Sequence, residues 1–215
     1  MLYSRTVTKL IIKLKLSPEQ HAQLRRLQQM FALACNALAP IVSDSRCWNR
    51  VTLHHLSYRQ LREQFPELGS QMVCNAIYSV CRTARIVYQG SASPFNLARW
   101  GDKPVPRILF APSSPVYFDR HTLSIKGGQL SMFTLDGRMR FELKVSPQNE
   151  QRFRDEKLQE IILSCPDDQY QLSFAFAEPL ESAAPLGGAD LAELPEYIVV
   201  LADANPPEPI AIESL

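Results

Sequence analysis

Residues 8–20 read TKLIIKLKLSPEQ, and the change of period inside this stretch decides the fold class. From Thr8 to Leu16 the chain alternates, with Leu10, Ile12, Leu14 and Leu16 on one face and Lys9, Lys13 and Lys15 on the other. That is the two-residue period of a strand with one packed face and one positive face. Ser17 then offers a capping hydroxyl, Pro18 the first helical position and Gln20 a side chain that can reach back, a near-complete helix start. A strand that hands over directly to a helix points to a mixed α+β chain.

Working outward, the predicted helix runs to about Ala39, with Leu24, Leu27, Phe31, Ala34 and Leu38 as one apolar stripe and Arg25, Arg26 and Gln29 outside it. Pro40 is expected to end it. A polar stretch with Trp48 leads to a short helix near Ser57–Gln64. Ser70 is expected to cap a third helix to about Tyr88, buried through Val73, Ile77, Val80, Ala84 and Val87. After Gly90 the texture turns to Pro, Ser and Gly, and from Arg107 strand patterns take over. Leu123 and Ile125, Leu130 and Met132, then Met139, Phe141, Leu143 and Val145 form a meander around turns at Gly127-Gly128 and Asp136-Gly137. A strand pair at 160–164 and 169–177 follows. A small-residue linker from Ser182 to Gly188 leads to an apolar strand at 197–201 and to Ile210 and Ile212.

The fold reading is therefore α+β: a small antiparallel β-barrel at 1–16 and 105–181, interrupted by a helical insert at 17–104, then a further unit at 182–215. The 215 residues are 46% apolar, enough for a proper core. No run of about 18 apolar residues and no secretory signal pattern is present, so no membrane partner is expected and the cytoplasm is the expected compartment. Five cysteines without a C-x-x-C pair argue against a disulfide framework and a zinc ribbon. His54 and His55 are adjacent and diverge on either element, so no metal site is expected.

The formal charge of +1 conceals a split. Residues 1–150 carry 20 Lys and Arg against 9 Asp and Glu, whereas residues 151–215 carry 3 against 13. A basic body suits a polyanion. Its cations are interleaved with aromatics: Tyr58, Arg59 and Arg62; Tyr78, Arg82 and Arg85; Arg99, Trp100, Lys103 and Arg107. That mixture combines phosphate contact with base stacking, and it equally describes an ordinary solvated helix face with half-buried rings. G-x-S-x-G, phosphate-binding glycine loops and H-E-x-x-H are all missing from the sequence, which disfavours a self-sufficient hydrolase.

Several blocks, in order, resemble the TnpB family, transposon-encoded RNA-guided nucleases related to type V CRISPR effectors. Leu56-Ser57-Tyr58-Arg59-Gln60-Leu61-Arg62-Glu63, Phe65-Pro66-Glu67-Leu68 and Ser70-Gln71-Met72-Val73 are similar to its helical recognition part. Phe118-Asp119-Arg120-His121-Thr122-Leu123-Ser124-Ile125-Lys126-Gly127 is similar to its wedge-like barrel, and Arg120 and Lys126 join the nucleic-acid-binding candidates on that ground. Leu186-Gly187-Gly188-Ala189-Asp190-Leu191-Ala192, followed by Ile198-Val199-Val200 and Glu208-Pro209-Ile210-Ala211-Ile212, resembles the opening of its RuvC-like (RNase H-like) nuclease domain.

The resemblance implies a guide-like RNA partner, target DNA, and a nuclease whose three carboxylates hold two metal ions. Asp190 matches only the first carboxylate, and Ala192 stands where the family has glycine. The sequence is thus expected to supply recognition without cleavage, with no cofactor and with magnesium relevant only if the missing nuclease half came from a separate chain. Two other classes fit the same residues: a decayed transposon fragment or interaction piece, and a standalone DNA-binding regulator.

Overall fold

The computed structural model describes residues 7–101, 103–126, 128–143, 145–177 and 194–202. Strand β1 (Val7–Lys13) leads into helix α1 (Pro18–Ser45), and the helix start is the one its sequence encodes. The Ser17 hydroxyl accepts from the Gln20 amide at 3.2 Å while the Ser17 amide donates to Gln20 Oε1 at 3.0 Å, so two otherwise orphaned donors are satisfied reciprocally. The stripe from Leu24 to Leu38 is fully buried.

Pro40 does not end α1. It lies inside the helix, which continues to Ser45 and is closed by Arg46 in the left-handed region at φ 50°. Proline removes one intrahelical donor and crowds the preceding turn, yet Val42 and Ser43 beyond it are buried and hold the last turn against the core. Just upstream, the Asn36 amide is locked to the Phe110 backbone in both directions, donating to its carbonyl at 2.9 Å and accepting from its N–H at 2.7 Å. Packing outweighs the local preference.

Helix α2 (Arg50–Gln64) begins seven residues earlier than the sequence suggests, because Asn49 caps it through the amides of Val51 and Thr52. Helix α3 (Ser70–Gln89) buries the whole expected stripe, but Ser70 is its first helical residue and Gly69 the uncapped boundary. A four-residue helix, α4 (Leu97–Trp100), closes the helical part.

The strands form three antiparallel sheets, each an open ladder among the described residues where the sequence reading has one barrel. The first has the order β1, β8 (Gln171–Ala177), β7 (Lys157–Ser164), β3 (Val116–Phe118). The second joins β2 (Arg107–Phe110) to β9 (Ile198–Leu201), and the third is the meander β4 (Leu123–Lys126), β5 (Gln129–Thr134), β6 (Gly137–Glu142). The sheets part company at Asp119, whose Oδ1 accepts from the amides of His121 and Thr122, both at 3.0 Å. This side-chain turn redirects the chain out of β3 and into the meander.

The meander turns where expected, with Gly128 at φ 72° and Gly137 at φ 99°, conformations that suit a residue without Cβ. Helix α5 (Pro147–Asp155) is additional to the sequence reading; Ser146 caps it and Pro147 opens it. Strand β9, placed by sequence in the terminal unit, pairs with β2 through Arg107↔Leu201 to Phe110↔Ile198. Among the described residues no helix is long and apolar enough to cross a membrane.

Candidate nucleic-acid interface

The basic residues divide sharply by what already holds them. Arg25 pairs with Asp168 at 3.3 Å and Arg26 with Asp136 at 3.4 Å. Arg59 is paired with Glu63 one helical turn away, and Arg62 donates to the Leu68 carbonyl. Arg99 donates to the carbonyls of Ser91 and Ser93, each at 2.7 Å. Lys103 lies 5.2 Å from the centre of the Trp100 ring, whose indole N–H donates to the Pro104 carbonyl. Tyr58 stacks on His54 at 4.6 Å. Arg62 and Arg99 close turns, Arg25 and Arg26 pair across elements through largely exposed guanidiniums, and Arg59 and Tyr58 meet partners within α2, distinctions that composition does not show.

Tyr78 and Arg82 belong to the same structural class. Both address one oxygen of Glu160 on β7: the Tyr78 hydroxyl donates to Oε1 at 2.9 Å and Arg82 Nε lies 3.1 Å from it. Arg50 sits 5.4 Å over the Tyr78 ring, and Tyr78 meets Tyr117 edge-on at 5.6 Å. Burial, reinforced by the Glu160 carboxylate, pushes the Tyr78 hydroxyl up to about 12.

Burial likewise raises Tyr88, Tyr117 and Tyr170. A raised phenol favours the neutral form in the folded protein, so the stability tied to Tyr78 is complete below its ordinary value of about 10 and is lost as pH rises toward about 12. In an alkaline absorbance titration, Tyr78→Phe is expected to remove one late-titrating phenol. A titration without any late class would contradict this burial.

Against these, Lys9, Lys13, Lys15, Arg85, Arg120 and Lys126 are exposed, Arg107 is half-buried, and none forms an ion pair among the described residues. Arg85 is part of a concentration of charge that the sequence reading did not pick out. Arg46, at the end of α1, and Arg50, at the start of α2, flank Trp48. Arg46, Trp48, Asn49, Arg85 and Gln89 line a cleft of about 370 Å³ between the α1–α2 junction and the end of α3.

A neighbouring recess of about 260 Å³ shares Arg46 and adds Arg107. Trp48 is half-buried, 5.4 Å from the Tyr88 ring. The left-handed cap at Arg46 and the Asn49 cap turn the chain here, and Arg46 and Trp48 line the same cleft, while the Arg50 guanidinium turns to the Tyr78 ring. The clue in the sequence was the run Arg46-Cys47-Trp48-Asn49-Arg50, the same interleaving already noted at Arg99-Trp100.

Of the cysteines, Cys35 and Cys81 are buried and Cys47, Cys74 and Cys165 half-buried, all as free thiols. Burial pushes Cys81 up to about 11, which disfavours its thiolate at neutral pH. Asp190, Ile210 and Ile212 lie outside the described residues. No protein-family model and no curated protein matches the chain.

Proposed function

We propose that this chain binds RNA through the corner formed by Arg46, Trp48, Arg85 and Arg107. The observation that carries the reading is that Arg46, Arg85 and Arg107 have no ion-pair partner among the described residues, with Arg46 and Arg85 beside the half-buried Trp48 indole and Arg107 in the adjoining recess, where most other arginines of the helical region have a carboxylate or carbonyl partner. Unpaired guanidiniums beside a ring suit phosphate contact with base stacking. In this reading the role is recognition, as the resemblance to TnpB-type proteins implies for guide RNA. The strands at 7–13 and 107–177 correspond to the wedge-like barrel, and β9 to the first strand of the RuvC-like unit.

The test is fluorescence anisotropy with structured RNA from the gene's own locus and with random RNA of equal length. The double variant Arg46→Gln/Arg85→Gln is expected to weaken binding about tenfold at moderate salt and to reduce the slope of log K against log salt by about 1.5, the loss of two phosphate contacts. Equal affinity for both RNAs, or an unchanged salt slope in the variant, would overturn the proposal.

A further inference from the structure

Three donors of different kinds converge where the first turns of α1 meet the β7–β8 connection. His21 is one turn into α1, while Cys165 precedes and Asp168 ends the tight turn at Pro166–Asp168, where Asp167 and Asp168 both adopt left-handed backbone conformations at φ 50° and 58°. One ligand atom from each of His21, Cys165 and Asp168 lies within 4.8 Å of the other two.

His21 Nε2 is shielded from solvent and has no hydrogen-bond partner among the described residues. It stands 3.5 Å from Asp168 Oδ1, close enough for attraction but not aligned as a hydrogen bond. A sequestered ring nitrogen without a partner is costly. The edge of the His21 ring arrangement is fixed by Tyr170, 5.0 Å away and nearly perpendicular, whose hydroxyl donates to Gln28 Oε1 at 3.0 Å.

We propose that His21 Nε2, Cys165 Sγ and the Asp168 carboxylate form a site for a zinc-class divalent cation, with water in the fourth position. Tetrahedral zinc holds nitrogen and oxygen at about 2.0–2.2 Å and sulfur at about 2.3 Å, so neighbouring ligand atoms stand roughly 3.4–3.7 Å apart. The His21–Asp168 separation already has that value, and the sulfur, within 4.8 Å of both, has to close by at most about 1.4 Å.

Imidazole and thiolate select zinc or cobalt over magnesium and calcium. Binding replaces the thiol proton, which leaves to solvent, by the metal–sulfur bond. Arg25 opposes the ion, pairing with Asp168 Oδ1 at 3.3 Å through a largely exposed guanidinium that would have to be displaced as the ion enters. The bound ion would tie α1 to the β7–β8 turn. The site is independent of the RNA reading and lies on residues that reading does not use.

The experiment is titration of the full chain with Co(II), followed by the thiolate-to-cobalt charge-transfer band and the visible ligand-field bands. One equivalent is expected to saturate both, and Zn(II) to bleach them. Cys165→Ser is expected to abolish the charge-transfer band, and His21→Gln to abolish the tetrahedral ligand-field pattern, with far-ultraviolet circular dichroism showing both variants folded. Because Asp168 is exposed, Asp168→Asn serves as a variant that keeps the fold, expected to weaken Co(II) at least about tenfold. Absence of a charge-transfer band in the unsubstituted chain, or undiminished affinity in Asp168→Asn, would overturn the proposal.

Discussion

Phe174→Ala is expected to lower the stability of the protein by about 3–5 kcal/mol. Phe174 is completely buried on β8, the strand flanked by β1 and β7, with Leu10 and Ile161 as its cross-strand neighbours. Its ring meets Phe153 of α5 edge-on, 5.0 Å between centres and 89° between planes, and Phe153 also touches Phe176. Truncation therefore removes transferred apolar surface, opens a cavity that two strands and a helix cannot collapse together to fill, and breaks an aromatic pair. Urea unfolding should show a lower midpoint with an unchanged m-value. Phe133→Ala, at a ring 39% exposed, is the matched control and should cost under about 1 kcal/mol. Similar costs at both positions would mean that the β1–β8–β7 sheet does not pack as described.

Glu160→Ala is expected to cost about 2–3 kcal/mol, because it strands the Tyr78 hydroxyl and the Arg82 guanidinium together. The value falls below that for a fully enclosed ion pair, since the Arg82 side chain keeps 33% of its exposure and water can replace part of what is lost. A double-mutant cycle of Glu160→Ala with Arg82→Ala isolates the pair, and coupling of about 1 kcal/mol or more is expected. The two residues connect α3 to β7. An Arg82→Ala protein should therefore lose stability more than RNA affinity, whereas the reverse pattern would return Arg82 to the binding surface.

Local chemistry made the elements readable. The Ser17–Gln20 box, the α1 and α3 stripes and the meander turns are each encoded within a few residues, and each is present. Pro40 was unreadable for the opposite reason: the forces that carry α1 past it come from Val42 and Ser43 packing and from Asn36 on Phe110, partners 74 positions apart. Helix α5 was readable, since Ser146-Pro147 repeats the Ser17-Pro18 signature that opens α1.

The binding candidates were readable as a class and not one by one. A guanidinium is available only if no carboxylate or carbonyl has taken it, and Arg25's partner Asp168 is 143 residues away. The same distance hides the convergence of His21 with Cys165, which no spacing rule covers.

The register Val7↔Ala177 has a kinetic meaning. Strand β1 is synthesised before the helices, yet its hydrogen-bonding partner is some 160 residues downstream, so the strand waits unpaired while the intervening chain emerges. Helices α1, α2 and α3 can consolidate meanwhile on contacts that are near in sequence. Long loop closure is slow to reward, so the helices are expected to form before β1 finds β8. The alternating lysines at Lys9 and Lys13 then have a second use, keeping a waiting strand from pairing with its counterpart on another nascent molecule.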